Sequence, residues 1–235
     1  MSKIGKKHKK AISVIDSKKL LSIRDAVEKV KELSHVNFDE SVDLILKLSI
    51  DPTKNEQTVR GDIVLPNNRG KRVKIIVFAK GEGADQAKEA GADEIGDDNL
   101  IENIKGGWLD FDYAIATPDL MGKVGALAKI LGPRGLLPNK KNGTVTFDIA
   151  PVIKELKQGR VFFKNDKSGQ INFPVGKVSF DAEKLVQNIN SFLKAVASLK
   201  PASVKGRLFS KITISSTMGV GILIDIEEVF KMVSL

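Results

Sequence analysis

A chain of 235 residues without cysteine and with a net charge of +9 is long enough for one large domain or two small ones, and it excludes disulfides, thiolate metal sites and cysteine nucleophiles. Two histidines leave almost no material for a histidine-centred triad or metal cluster. No apolar run behind the N-terminal lysines resembles a secretory signal, and no later run reaches membrane-spanning length, so a cytoplasmic protein with no membrane partner is expected.

The first ten residues form a basic tail, expected to be disordered, that contains His8. Ser22, followed three residues on by Asp25, reads as an N-cap. Ile23, Ala26, Val27, Val30 and Leu33 then share one face of a helix over 22–33. From 38 to 50 apolar residues take the even positions, with Glu40 the exception, which predicts a long half-buried strand. A second strand over 61–65 is stopped by Pro66 and the turn-rich Asn67-Asn68-Arg69-Gly70. The rhythm then changes to strand 73–79, helix 84–90, a short strand near Ile95, helix 99–105, strand 111–116 and helix 119–131. Strands alternating with helices imply βαβ units and a mostly parallel sheet. Helix 149–157 closes at Gly159. Beyond it the pattern reads as a hairpin, with strands 160–165 and 170–175 about the turn Asp166-Lys167-Ser168-Gly169. Helix 181–198 follows, then strands 207–215 and 220–226 around the small-residue segment Ser215-Ser216-Thr217-Met218-Gly219-Val220-Gly221. Residues 227–235 read as a short amphipathic helix.

The two end blocks are too short and too rich in unpaired strands to fold separately. The expected fold class is therefore mixed α/β and α+β. A discontinuous α+β domain comes from 1–66 plus 158–235, and an inserted, Rossmann-like three-layer α/β domain from 67–157. The double connection near Pro66 and Gly159 is a natural hinge. Residues 1–66 hold 13 Lys and Arg against 10 Asp and Glu, 67–157 hold 14 against 13, and 158–235 hold 11 against 6. The excess at the two ends is a footprint for a polyanion.

Catalysis has little support. Asp97-Asp98 and Glu227-Glu228 are adjacent in sequence and read as solvated. Gly81-Glu82-Gly83 begins like a dinucleotide turn, but Gln86 stands where the third glycine belongs, and no Gly-Lys-Ser/Thr run offers a phosphate loop. Gly132-Pro133-Arg134-Gly135 has the spacing of a backbone clamp with Arg134 as phosphate donor. Pro138 argues instead for a helix end with Gly132 as cap and Pro133 as stop. One Trp and one Tyr do not supply a broad base-stacking platform, so a nucleic acid would be read through shape, phosphate and backbone hydroxyls.

Five segments together carry a resemblance: Phe38-Asp39-Glu40-Ser41-Val42, Val59-Arg60-Gly61, Leu131-Gly132-Pro133-Arg134-Gly135-Leu136-Leu137-Pro138-Asn139, Asn165-Asp166-Lys167-Ser168-Gly169 and Ser216-Thr217-Met218-Gly219. In order and spacing the chain resembles the bacterial members of the universal L1 family of ribosomal proteins, over about residues 3–226. The resemblance implies a non-enzymatic protein of the large ribosomal subunit that binds 23S rRNA in the mobile stalk beside the tRNA exit site. It also implies help in releasing exit-site tRNA and repression of its own operon mRNA. No catalytic residue, metal or cofactor is expected, and the free protein is expected to be a monomer. The alternatives are an RNA-binding regulator acting off the ribosome and, distantly, a nucleotide-dependent enzyme.

By the same resemblance the RNA surface comprises Phe38, Ser41, Asp166, Lys167, Gly169, Ser215, Thr217, Met218, Gly219 and Gly221, with secondary RNA or tRNA contacts at Arg134, Lys140 and Lys141. Lys167 would neutralise phosphate, Thr217 would bond sugar hydroxyls or base edges, and Met218 and Phe38 would pack in the minor groove. Asp39 and Glu40 would either accept from guanine amines or 2′-hydroxyls, or hold a neighbour in place. The chain departs from the family pattern at Asn37, Asn67, Asn172 and Val220.

Overall fold

The computed structural model describes residues 5–14 and 19–233, apart from the side chains of Lys6, Lys9, Lys10, Asn55 and Val233; residues 1–4 of the basic stretch and 234–235 of the tail lie outside the described residues. In chain order the elements are α1 (Lys6–Val14), α2 (Ile23–Leu33), β1 (Ser41–Leu48), β2 (Arg60–Val64), β3 (Ile75–Phe78), α3 (Glu82–Glu89), β4 (Glu94–Gly96), α4 (Asp98–Lys105) and β5 (Tyr113–Ala116). They continue as α5 (Met121–Val124), α6 (Ala128–Leu131), α7 (Ile149–Gln158), β6 (Arg160–Lys164), β7 (Gln170–Lys177), α8 (Ala182–Ser198), β8 (Phe209–Ser216), β9 (Ile222–Ile224) and α9 (Ile226–Val233). The chain up to Gly70 and the chain from Val161 onward make one compact unit, and Lys71–Arg160 make a second.

The two-ended unit is α+β. Its main sheet runs β7-β1-β8-β9, antiparallel throughout, with β1 in the interior. The alternation expected of 38–50 appears in β1, where Val42, Leu44, Leu46 and Leu48 are buried. They pack against Ala26, Val27 and Val30 of α2 and Leu185, Ile189, Phe192 and Leu193 of α8 in one core. Helix α2 begins as its sequence dictates, with the Ser22 hydroxyl accepting from the Asp25 N–H at 3.1 Å. Phe192 stacks on Phe173 of the main sheet, centroids 3.8 Å apart, and meets Phe163 of β6 edge-on at 5.1 Å. One aromatic side chain thereby ties both sheets of this unit to α8.

The inserted unit is α/β. Its sheet has the order β4-β3-β5, all parallel. Every residue of β3 is buried, as a strand covered on both faces must be. Ile76 and Phe78 join the core made with Leu100, Ile104, Val124 and Leu131, while the alternate Ile75 and Val77 are also fully buried. Helix α7 ends at Gly159 with φ 114°, a conformation that favours glycine.

Three expectations need correction. Strands β6 and β7 do not form a hairpin: β6 pairs with β2 in a two-stranded sheet, and β7 pairs with β1. The buried Asn165 side chain accepts from the Val59 N–H at 2.9 Å and draws β6 toward β2, so the chain changes sheets at the following turn. The helix expected over 119–131 is instead a succession of short pieces, Pro118–Leu120, α5, Gly125–Leu127 and α6. Gly122 and Gly125 lie within it, and glycine is a weak helix former. Gly132 caps α6 as expected, in right-handed conformation, and the left-handed residue of that turn is Gly135, φ 71°. Finally, the basic N-terminal stretch is helical over Lys6–Val14, with Ala11 buried and His8 half-buried.

The amphipathic tail has a structural place as α9. Val229 is buried, Phe230 packs on Phe209 at 6.2 Å, and the Glu228 carboxylate accepts from the Ile23 N–H at 3.3 Å. A carboxylate at that point complements the positive end of α2.

Candidate nucleic-acid interface

The residues singled out in sequence gather at the two ends of β1. At its entry end stand Phe38, Ser41, Thr217, Met218 and Gly219, because Val42 pairs with Ser216 and the Thr217 N–H donates to the Ser41 carbonyl at 3.1 Å. At the exit end stands the turn 166–169, because Lys47 pairs with Gln170 and the Leu48 N–H donates to the Gly169 carbonyl at 2.9 Å. Six strand residues separate the groups by roughly 20 Å. Between them lies the face of the sheet turned away from α2 and α8. It carries Ser41, Asp43, Ile45 and Lys47 of β1, with Asn172 and Pro174 of β7 and Lys211, Thr213 and Ser215 of β8 opposite them. Ser215 is half-buried there, and Gly221 is exposed at the start of β9.

The entry cluster is organised by Glu40, which is 1 % exposed. Its carboxylate accepts from the Ser34 hydroxyl at 2.6 Å, from the Met218 N–H at 2.7 Å and from the Ser216 hydroxyl. Burial works to raise its pKa, but the Ser34, Met218 and Ser216 hydrogen bonds and the neighbouring His35 outweigh burial and hold the carboxyl below its ordinary range. Asp39 accepts from the Ser179 N–H at 3.1 Å and from the Ser179 hydroxyl at 2.8 Å. Both acids hold a neighbour in place, Glu40 from a buried position and Asp39 from an exposed one. The result is that Phe38 and Met218, 55 % and 54 % exposed, stand out of a rigid edge.

Other members of the set are already engaged in the fold. The Thr217 hydroxyl accepts from the Ser41 N–H at 3.1 Å and donates to the Ser41 carbonyl at 3.3 Å, leaving one lone pair for an outside donor. The Ser41 hydroxyl accepts from Lys177 Nζ at 3.0 Å. Asp166 accepts from the Ser168 and Gln170 N–H groups, each at 2.8 Å, and Gly169 is buried with φ 72°. Lys167 is exposed. Gly219 and Gly221 lie outside the positive-φ glycines. Gly219 is required by close approach, because a Cβ there would collide with the Ser216 hydroxyl.

Sequence reasoning missed Asp43, whose half-buried carboxyl is pushed up in pKa by burial and partly drawn back by Lys177. It also missed Lys7, His8 and His35, which line an open groove beside Met218 and Gly219. No sequence signal could have joined them, since α1 and the turn are some two hundred residues apart in the chain.

In the inserted unit Arg134, Lys140 and Lys141 are exposed. Asn139 caps the turn Lys140–Asn142, its side chain accepting from the Lys141 N–H at 2.9 Å. The first turn of α3, after the Gly81-Glu82-Gly83 segment, holds Glu82 and Asp85. Carboxylates there oppose a phosphate at that helix end. Among the described residues no helix is long and apolar enough to cross a membrane.

Residues 30–220 match the model of the ribosomal protein L1p/L10e family. The chain belongs to that family. It is 49% identical over 229 residues to the large ribosomal subunit protein uL1 of Macrococcus caseolyticus, covering 97% of this chain and 99% of that protein. It is 48% identical over 229 residues to the uL1 protein of Kosmotoga olearia, with coverage of 97% and 99%. The uL1 protein of Limosilactobacillus reuteri is 48% identical over 224 residues, with coverage of 95% and 97%. The L1p/L10e family is one of ribosomal proteins and not of enzymes, and a site with a buried, hydrogen-bonded Glu40 and protruding apolar side chains accords with a binding surface.

Proposed function

We propose that the chain is a cytoplasmic, monomeric RNA-binding protein of the large ribosomal subunit, which holds the 23S rRNA stalk beside the tRNA exit site. The observation that carries this reading is the entry edge of β1, where Phe38 and Met218 protrude, Glu40 is tied inward and Asp39 is bonded to Ser179. A-form RNA offers a wide, shallow minor groove that suits apolar contact and main-chain hydrogen bonding. Lys167 at the far end, with Lys47 and Lys211 on the face between, supplies phosphate contacts. Ser41, Asp166, Gly169, Ser215, Thr217, Gly219 and Gly221 shape the surface, several by bonds within the protein. The same surface binds the operon mRNA, whose repression follows from competition with rRNA. Arg134, Lys140 and Lys141 contact RNA or exit-site tRNA and assist tRNA release.

Binding of the purified chain to a stalk rRNA fragment, measured across a salt series, tests the reading. Log affinity is expected to fall with log salt by about 0.9 or less for each phosphate contacted. Lys167→Ala reduces that slope by about one, and Met218→Ala weakens binding at every salt concentration. A flat salt response, or unchanged affinity in both variants, overturns it.

A further inference from the structure

Beside the 217–219 turn lies an open groove of about 630 Å³, lined by Lys7 and His8 of α1, by His35, and by Thr217, Met218 and Gly219. Its volume falls within the range of small-ligand sites. Its lining contains no carboxylate among the described residues, and Glu40, which holds the Met218 N–H, is buried and occupied by three donors. The groove therefore presents one lysine, two imidazoles and the Met218 side chain.

The histidines suit it to a planar ring. His35 Nδ1 lies 3.3 Å from the Leu33 carbonyl, so in the neutral imidazole the proton belongs on Nδ1 and Nε2 is left as an acceptor. Lys7 Nζ reaches the His35 carbonyl at 3.4 Å, a long bond that leaves its other protons for an anion. Gly219, without a side chain, allows close approach from the turn side.

We propose that this groove seats one unpaired nucleotide of the bound RNA, with its base against Met218 and the imidazoles of His8 and His35 and its phosphate on Lys7. Unpaired bases are the parts of RNA that proteins stack on aromatic rings, histidine included. The groove adjoins the entry edge of β1, where Met218 protrudes, so it is where a base turned out of a duplex is held. The inference rests on the proposed RNA-binding face and adds to it a discriminating element, which favours RNA interrupted by an unpaired residue over a continuous duplex.

The test uses the full chain and the stalk segment of 23S rRNA carrying the fluorescent base 2-aminopurine at each unpaired position in turn. One position is expected to change its fluorescence on binding. His35→Ala and Lys7→Ala each remove that change and weaken binding of the segment about tenfold, yet leave affinity for a fully paired duplex of equal length unaltered. Urea midpoints equal to the parent's exclude a folding defect. If the fluorescence change and the affinity survive both substitutions, the groove is empty and the inference falls, while the broader RNA reading stands. Equal weakening toward segment and duplex also overturns it, because Lys7 and His35 then act only as general charges. Failure of the whole RNA-binding reading is distinct: Lys167→Ala and Met218→Ala would then change nothing either.

Discussion

The Glu40 carboxylate accepts the backbone N–H of Met218 at 2.7 Å across a sequence separation of 178 residues. One buried acid thus fixes the turn that joins β8 to β9. Glu40→Ala leaves the Met218 N–H and the Ser34 and Ser216 hydroxyls without their acceptor, and is expected to lower stability by about 3 kcal/mol. Urea unfolding followed by circular dichroism measures it. Affinity for the stalk rRNA falls as well, because the protruding Met218 loses its support.

The same carboxylate sets a pH dependence. Its folded pKa lies below the ordinary 4.5, so the unfolded chain binds the proton more readily. The contribution is fully present above about 4.5 and is lost as pH falls from there through the folded value. Asp43 has the opposite sign, because burial raises its pKa above the ordinary 3.8. Its ionisation opposes folding as pH rises past that value, so Asp43→Asn is expected to increase stability at neutral pH. Urea midpoints between pH 3 and 7 separate the two. Glu40→Gln flattens the acid side of the profile, and Asp43→Asn raises its neutral side.

Thr217 has a structural duty through its paired bonds to Ser41. Thr217→Ala is expected to cost about 1 kcal/mol of stability, whereas Thr217→Ser retains the hydroxyl and stays near the parent. An RNA-binding loss in the alanine variant must therefore be compared with that of the serine variant. Equal stability of all three proteins contradicts the hydrogen bonds.

Two glycines should respond to alanine for different reasons. At Gly169 the backbone is left-handed, φ 72°, and alanine is expected to cost about 1 kcal/mol through strain. At Gly219 the added Cβ meets the Ser216 hydroxyl, so the turn must shift and Ser216 must leave Glu40. Loss of RNA affinity beyond the loss of stability is expected only at Gly219. Thermal melts paired with binding curves distinguish them.

The two-ended unit is proposed to fold and bind alone. A chain in which a glycine-rich linker joins Gly70 to Val161 keeps the core of β1, β7, α2 and α8 and is expected to retain stalk rRNA binding. A collapsed circular dichroism signal, or folding without binding, refutes this.

What the sequence disclosed depended on the range of the interaction. Ser22 caps α2, Gly159 ends α7, and alternation marks β1, because each is decided within one or two turns of chain. The partnership of β6 with β2 was hidden, since it depends on Asn165 reaching Val59 across 106 residues. Period-2 runs on both sides of a good turn looked like a hairpin, and local pattern carries no information on which edge a strand meets. The protruding Phe38 and Met218 were legible through their motifs. The ties made by Asp39 and Glu40 were not, because a carboxylate's role depends on the donors that folding brings to it.

Strand β1 also acts as a gauge. The entry and exit clusters hang from the two ends of a single interior strand, so its residue count decides how far apart the two clusters stand, and with them the contacts of the proposed RNA. In a regular ladder that span does not drift by single steps, since one added residue would turn every side chain beyond it to the opposite face. A change of reach must come in pairs of residues, about 7 Å at a time, with β7 and β8 altered to match.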